Sequence, residues 1–163
     1  MPATSKEKIL SILETVTDPE VPVLSVIDLG IVRELREDGG NIEVVITPTY
    51  SGCPAMDVIS MNIRMAVSTL GFKNVRVTHV LSPAWTTDWM SEAGKQKLKD
   101  YGIAPPTPKQ QVCNDKLFAE EAIQCPHCNS WHTHRVSEFG STACKALYVC
   151  DDCKEPFDYF KCH

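Results

Sequence analysis

Near the start of the chain, Ile9, Ile12, Leu13 and Val16 recur at helical spacing behind Thr4 or Ser5, with Glu7 in the first turn. That pattern predicts a helix that opens at Thr4 or Ser5 and stops at Thr17-Asp18-Pro19. DPEVPVLSVIDLG (Asp18 to Gly30) mixes prolines with acidic residues and predicts an irregular connection, with Gly30 free to take a positive φ. Ile31 to Glu37 alternates loosely, DGGN (Asp38 to Asn41) is a turn, and IEVVIT (Ile42 to Thr47) is β-branched, so the three together predict a β-hairpin. From Pro54 a second helix runs to Leu70 and stops at Gly71, with Ile59, Ile63, Ala66, Val67 and Leu70 as its buried stripe. Met56, Met61 and Met65 lie in this helix and read as core. Asn74 to Leu81 alternates as a third strand, in which His79 reads as structural. A polar helix then spans Asp88 to Tyr101, capped by Thr87 or Asp88. The order predicts an α+β domain, a small three-stranded sheet backed by helices.

APPTP (Ala104 to Pro108) cannot continue a helix and marks a boundary. The expected organisation is a domain over residues 1–104, a linker over 105–120 and a module over 121–163. In that module CPHC (Cys125, Cys128) and CDDC (Cys150, Cys153) flank a stretch that alternates like two strands. A two-residue knuckle turns both of its thiolates toward one point, so two knuckles make a tetrahedral metal site on a zinc-ribbon-like β module. Zinc suits a closed four-thiolate site, while rubredoxin-like iron or a cluster is possible with the same ligands. Neither CxxC sits in a βαβ unit, which speaks against a redox motif.

The formal charge of -5 changes this picture by exclusion. Residues 1–104 hold 13 acidic and 10 basic side chains, and 121–163 hold six and four, so both parts are mildly acidic and neither offers the clustered cations that a nucleic acid needs. No apolar run reaches the roughly 18 residues of a membrane span, and ILSIL (Ile9 to Leu13) is too short for a signal peptide, so the expected location is the cytoplasm. There the eight cysteines are expected to be reduced.

Among the chemical candidates, TPTYSGCPAM (Thr47 to Met56) stands where a strand ends and a helix begins. With Pro54 at the first helical position, Cys53 falls near the N-cap, where orphan N–H groups and the helix dipole favour a thiolate. The competing reading is a small buried residue filling a tight turn. As a covalent nucleophile Cys53 would have only His79 as a base in its domain. Walker, GxGxxG and HExxH patterns are missing from the sequence.

The motifs DPE (Asp18 to Glu20) and DLG (Asp28 to Gly30), then TPTYSGCP around Cys53, then FGSTACKALYVC and EPFDYFKC stand in one order. In this the chain resembles the PaaD family of the bacterial phenylacetyl-CoA epoxidase system. Its N-terminal part is similar to the wider SufT-like family of iron-sulfur assembly factors. The resemblance implies an accessory role in phenylacetate degradation, maturing or delivering iron-sulfur clusters to the epoxidase components, with the iron-sulfur reductase subunit as client. It further implies that Cys53 is the functional thiolate, a transient ligand of iron or a cluster, and that Asp18, Glu20 and Asp28 are the acidic motif positions. The alternative is a structural or regulatory subunit of the oxygenase, with the ribbon as an interaction module. One thiolate per chain also suggests a homodimer, in which a second copy completes a bridged cluster.

Overall fold

Helix α1 (Ser5–Leu13) begins where a reciprocal cap fixes it: the Thr4 N–H donates to the Glu7 carboxylate at 2.7 Å and the Glu7 N–H donates to Thr4 Oγ1. The molecule is seen in a computed structural model that describes residues 4–50, 52–106 and 123–161. Strands β1 (Val32–Asp38) and β2 (Asn41–Ile46) form the expected hairpin. Gly39 and Gly40 both take positive φ at its tip, as a two-residue turn of matching twist requires. Strand β3 (Asn74–His79) pairs with β2 in parallel, so β2 is central in a β1-β2-β3 sheet.

Parallel neighbours need a crossover, and helix α2 (Ala55–Ser68) supplies it. It buries Ala55, Met56, Ile59, Ile63 and Val67 against the sheet and α1. The expected stripe is corrected at its far end, because Leu70 lies beyond the last helical residue and is 37% exposed. Of the three methionines only Met56 is core. Met61 and Met65 lie on the opposite helical face and are 54% and 58% exposed.

The helix expected over Asp88 to Tyr101 is split. Thr86, rather than Thr87 or Asp88, caps a short 3-10 turn (Thr87–Trp89), and the extended Met90 (ψ 141) ends it. Helix α3 (Glu92–Asp100) then starts afresh, with Ser91 Oγ accepting the Gly94 N–H at 2.9 Å. This 85–91 segment fastens the Asp28-Leu29-Gly30 loop. Trp85 Nε1–H donates to the Leu29 carbonyl at 2.8 Å, and the Ser91 N–H and hydroxyl donate to the Asp28 carbonyl and carboxylate at 2.9 and 3.1 Å. Gly30, at φ 70, presses its bare Cα against the Trp89 carbonyl.

The chain divides into two compact units between Gly94 and Lys95, earlier than residue 104. The reason lies in strand β4 (Ile103–Ala104), which pairs in parallel with β7 (Pro156–Phe160), so residues just before the prolines join the C-terminal sheet. With β5 (Thr133–Ser137) and β6 (Lys145–Cys150), that sheet has the order β4-β7-β6-β5. Tyr148 stacks on Phe157 at 5.8 Å and meets Tyr159 edge-on at 5.7 Å, making a small core with Ile123, Ala104, Ala146 and the buried Cys125 and Cys150. Most of the expected linker, with Cys113, and Cys162 lie outside the described residues.

The Gly30 contact yields a test. A Gly30→Ala change adds a Cβ that overlaps the Trp89 carbonyl and places a side chain at positive φ. The two penalties together come to about 2–4 kcal/mol. Urea unfolding should show stability lowered by that amount, read as a fall in the midpoint by the same energy divided by the m-value, and an unchanged midpoint would mean the loop is free to move away from Trp89.

Candidate functional site

The two cysteine knuckles repeat one backbone device. In the first, the Cys125 N–H donates to the Ser130 carbonyl at 2.8 Å and the Asn129 N–H returns to the Cys125 carbonyl at 2.9 Å. In the second, the Cys150 N–H donates to the Glu155 carbonyl at 3.1 Å and the Lys154 N–H returns to the Cys150 carbonyl at 3.0 Å. Asn129 and Lys154 occupy the same place in each and both have positive φ, 61 and 64. Asn tolerates that conformation and Lys does not favour it, so the sequence signals the first turn more clearly than the second.

These turns bring the four sulfurs together. Cys125 Sγ lies 3.7 Å from Cys153 Sγ, Cys128 Sγ lies 3.5 Å from Cys150 Sγ, and all four are within 4.8 Å of one another. Zinc–sulfur bonds of about 2.3 Å in a tetrahedron put their corners about 3.8 Å apart. The donor set therefore fits a closed tetrahedral metal site.

Electrostatics point the same way. The Cys153 and Asp152 N–H groups stabilise the Cys150 thiolate and pull its pKa down to about 7. At Cys153 the Glu155 N–H acts downward, but desolvation and the neighbouring thiols of Cys150, Cys128 and Cys125 outweigh it and push the group up to about 12. Cys128 is also raised: the Ser130 N–H lowers it, but desolvation and the Cys150 and Cys125 thiols overcome that. Four sulfurs in so small a volume resist ionising together unless a cation offsets their charge.

Beside the site, Asp152 accepts from the Ser130 hydroxyl and contacts His132 Nδ1 at 3.1 Å, and Asp151 contacts His134 Nδ1 at 3.0 Å. The Ser130 hydroxyl and then His132 hold the Asp152 carboxyl below its usual range. His127 and His132, the spare imidazoles of the module, are not part of the four-sulfur group. Cys144 is buried next to Thr142 Oγ1, 3.0 Å from its sulfur, and is no ligand of that group.

Cys53 sits in the turn between β2 and α2, half-buried, after Gly52 at φ 77. Its N–H reaches the Tyr50 carbonyl and its own carbonyl receives the Met56 N–H, each at 3.3 Å. The N-cap itself is Pro54, without a side-chain cap, so Cys53 stands one residue further out than expected.

The acidic motif residues have local work to do. Asp18 Oδ1 accepts the Glu20 and Val21 N–H groups at 2.6 and 3.1 Å, closing the turn around Pro19. Asp28 Oδ2 accepts the Ser25 N–H while the Asp28 N–H donates to Ser25 Oγ, a reciprocal clasp. Among the described residues only the four cysteines form a close group of three or more metal-type donors. Cys53, Asp18, Glu20 and Asp28 thus form no joint donor set. His79 Nε2 meets Ser60 Oγ at 2.8 Å, and because the Ser60 hydroxyl donates to the Met56 carbonyl, His79 donates to Ser60 and ties β3 to α2. The roles of Ser91, Trp85 and the two positive-φ knuckle residues escape sequence reading. Only SxxG before α3 and the Asn after CPHC give any signal.

Comparison with known proteins follows the same division. Residues 6–79 match a family described as iron-sulfur cluster assembly protein, and residues 109–161 match the PaaD zinc beta ribbon domain. A protein of Escherichia coli (strain K12), named as a subunit of 1,2-phenylacetyl-CoA epoxidase, is 50% identical over 155 residues, covering 95% of this chain and 92% of that one. An Fe-S protein maturation auxiliary factor of Porphyromonas gingivalis is 38% identical over 58% of this chain and 90% of its own. Among solved structures, a domain of unknown function from Bacillus anthracis matches with TM-score 0.55 and 29% identity, covering 58% of this chain and 91% of that one. A conserved hypothetical protein from Thermotoga maritima matches with TM-score 0.51 and 31% identity, covering 60% and 97%. With a relative spanning nearly its whole length and family matches to both of its parts, the chain belongs to the PaaD family, an iron-sulfur assembly domain followed by a PaaD zinc beta ribbon.

Proposed function

We propose that the chain is an accessory factor of aerobic phenylacetate degradation, without a turnover site of its own, that matures or delivers iron-sulfur clusters to the phenylacetyl-CoA epoxidase system in the cytoplasm. The client we assign is the iron-sulfur reductase subunit. The observation that carries this reading is Cys53, half-buried in a glycine-containing turn within the part of the chain that matches iron-sulfur assembly proteins. A thiolate there can hold iron or a cluster as one of several ligands and give it up, the remaining ligands coming from the client. Asp18 and Asp28 shape their own loops through backbone hydrogen bonds.

In the ribbon, Cys125, Cys128, Cys150 and Cys153 would hold zinc, whose closed coordination leaves it a structural role. It offsets the mutual repulsion of the sulfurs and fixes both knuckles. A second reading, a permanent structural or regulatory subunit of the oxygenase, draws on the exposed Trp131 and Phe139 of the ribbon. Gel filtration of the active oxygenase separates the two: a maturation factor is absent from the complex, and a permanent subunit stays stoichiometric with it.

Replacing Cys125 or Cys150 by Ser, or stripping the metal with a chelator, should remove one equivalent of zinc per chain and make residues 121–163 protease-sensitive, while the N-terminal unit keeps its cooperative unfolding. Full metal content in either variant would overturn the ligand assignment. Cys53→Ser, by contrast, should leave the ribbon metal and thermal stability unchanged yet abolish support of phenylacetate-dependent growth in cells that rely on this gene. Normal growth would remove Cys53 from the mechanism, and loss of the fold would favour a packing role.

A further inference from the structure

Among the described residues, the outer face of α2 takes no part in packing the N-terminal unit or in the proposed role of Cys53. Val58, Met61 and Met65 lie on it at i, i+3 and i+7 spacing, each more than 40% exposed, so three large apolar side chains form one stripe along the helix. Along one edge of that stripe stand Asp57 and Arg64, both exposed. Neither has an ion-pair partner among the described residues. They are seven residues apart, about 10.5 Å along the axis, beyond the reach of the i+3 and i+4 pairing that ties charges together within one helix.

The arrangement is self-complementary. Asp57 and Arg64 lie almost symmetrically about Met61, as do Val58 and Met65. A two-fold rotation that packs α2 antiparallel against a second α2, centred at Met61, keeps each edge on its own side. It therefore sets Asp57 of one copy opposite Arg64 of the other, twice, while Val58 meets Met65 and Met61 meets Met61. Isologous contacts of this kind are the usual basis of two-fold dimers, and antiparallel helix dipoles add to the attraction. We infer that the outer face of α2 is a docking surface for a second copy of this chain.

Such a dimer does not depend on any role for Cys53, but it constrains one. Cys53 lies eight residues before Met61, so in the dimer the two thiols stand at opposite ends of the helix pair, about 24 Å apart. They cannot share a cluster. Each would act by itself, which departs from the bridged pair suggested by ligand count.

Sedimentation equilibrium of the full chain under reducing conditions tests the surface. The wild type should be a dimer. Asp57→Lys and Arg64→Glu should each weaken association about tenfold or more, since each turns two attractive contacts into two repulsive ones. The double variant should return to within about threefold of the wild type, because it restores both pairs in reversed sense. Met61→Lys, which sets two charges face to face at the two-fold axis, should leave only monomer. A monomeric wild type, single variants that associate normally, or a double variant as weak as the singles would each overturn the proposal. Recovery in the double variant excludes misfolding as the cause of the single effects.

Discussion

Because β2 pairs with β3 in parallel, much of the N-terminal unit has little choice. A hairpin cannot connect parallel neighbours, so the chain must leave β2, cross the sheet and return, and α2 is that crossing. Three consequences follow. β2 becomes the central strand and buries Ile42, Val44, Val45 and Ile46. The inner face of α2 is committed to the sheet and α1, leaving Met61 and Met65 outside. The chain must also turn sharply from strand to helix, which Gly52 permits, and Cys53 occupies that turn.

The ribbon rests on a different balance. Among the described residues its core is small, one aromatic trio with Ile123, Ala104, Ala146 and two buried sulfurs, so much of its order has to come from the cysteine knuckles. Those knuckles gather four sulfurs within 4.8 Å of one another, a group that cannot ionise together without a counter-charge. A metal ion would supply that charge and would tie the start of the β5–β6 hairpin, where Cys125 and Cys128 precede β5, to its end, where Cys150 closes β6 and Cys153 follows it.

Local chemistry is legible in the sequence and distant chemistry is not. The Thr4–Glu7 cap, the Asp38–Asn41 turn and the CxxC pairs are each written within a few residues, and the structure realises all three. The break at Met90 is hidden because the apolar residues of Asp88 to Tyr101, such as Trp89, Met90 and Leu98, are too few and scattered to form a stripe that shows where the helix restarts. Asp28 reads as a motif carboxylate, yet its partner Ser91 lies 63 residues away and no local pattern announces it. In the same way, Ile103 and Ala104 look like the end of the first domain because the prolines that follow are the visible signal, while their pairing with β7 is not. The Met-rich face of α2 misleads for a related reason: composition suggests core, but only the placement of the sheet says which side is inside.

In the function proposed, Cys53 and the ribbon cysteines bind metal separately, one site transient and the other permanent. The decisive experiment is iron, sulfide and zinc analysis of the wild type and of Cys53→Ser, both isolated without oxygen and then incubated with ferrous iron and sulfide. One zinc per chain is expected in both proteins, with iron retained by the wild type and lost from Cys53→Ser. Equal iron in the two proteins would refute the separation, since the iron would then reside at the ribbon or bind without regard to Cys53.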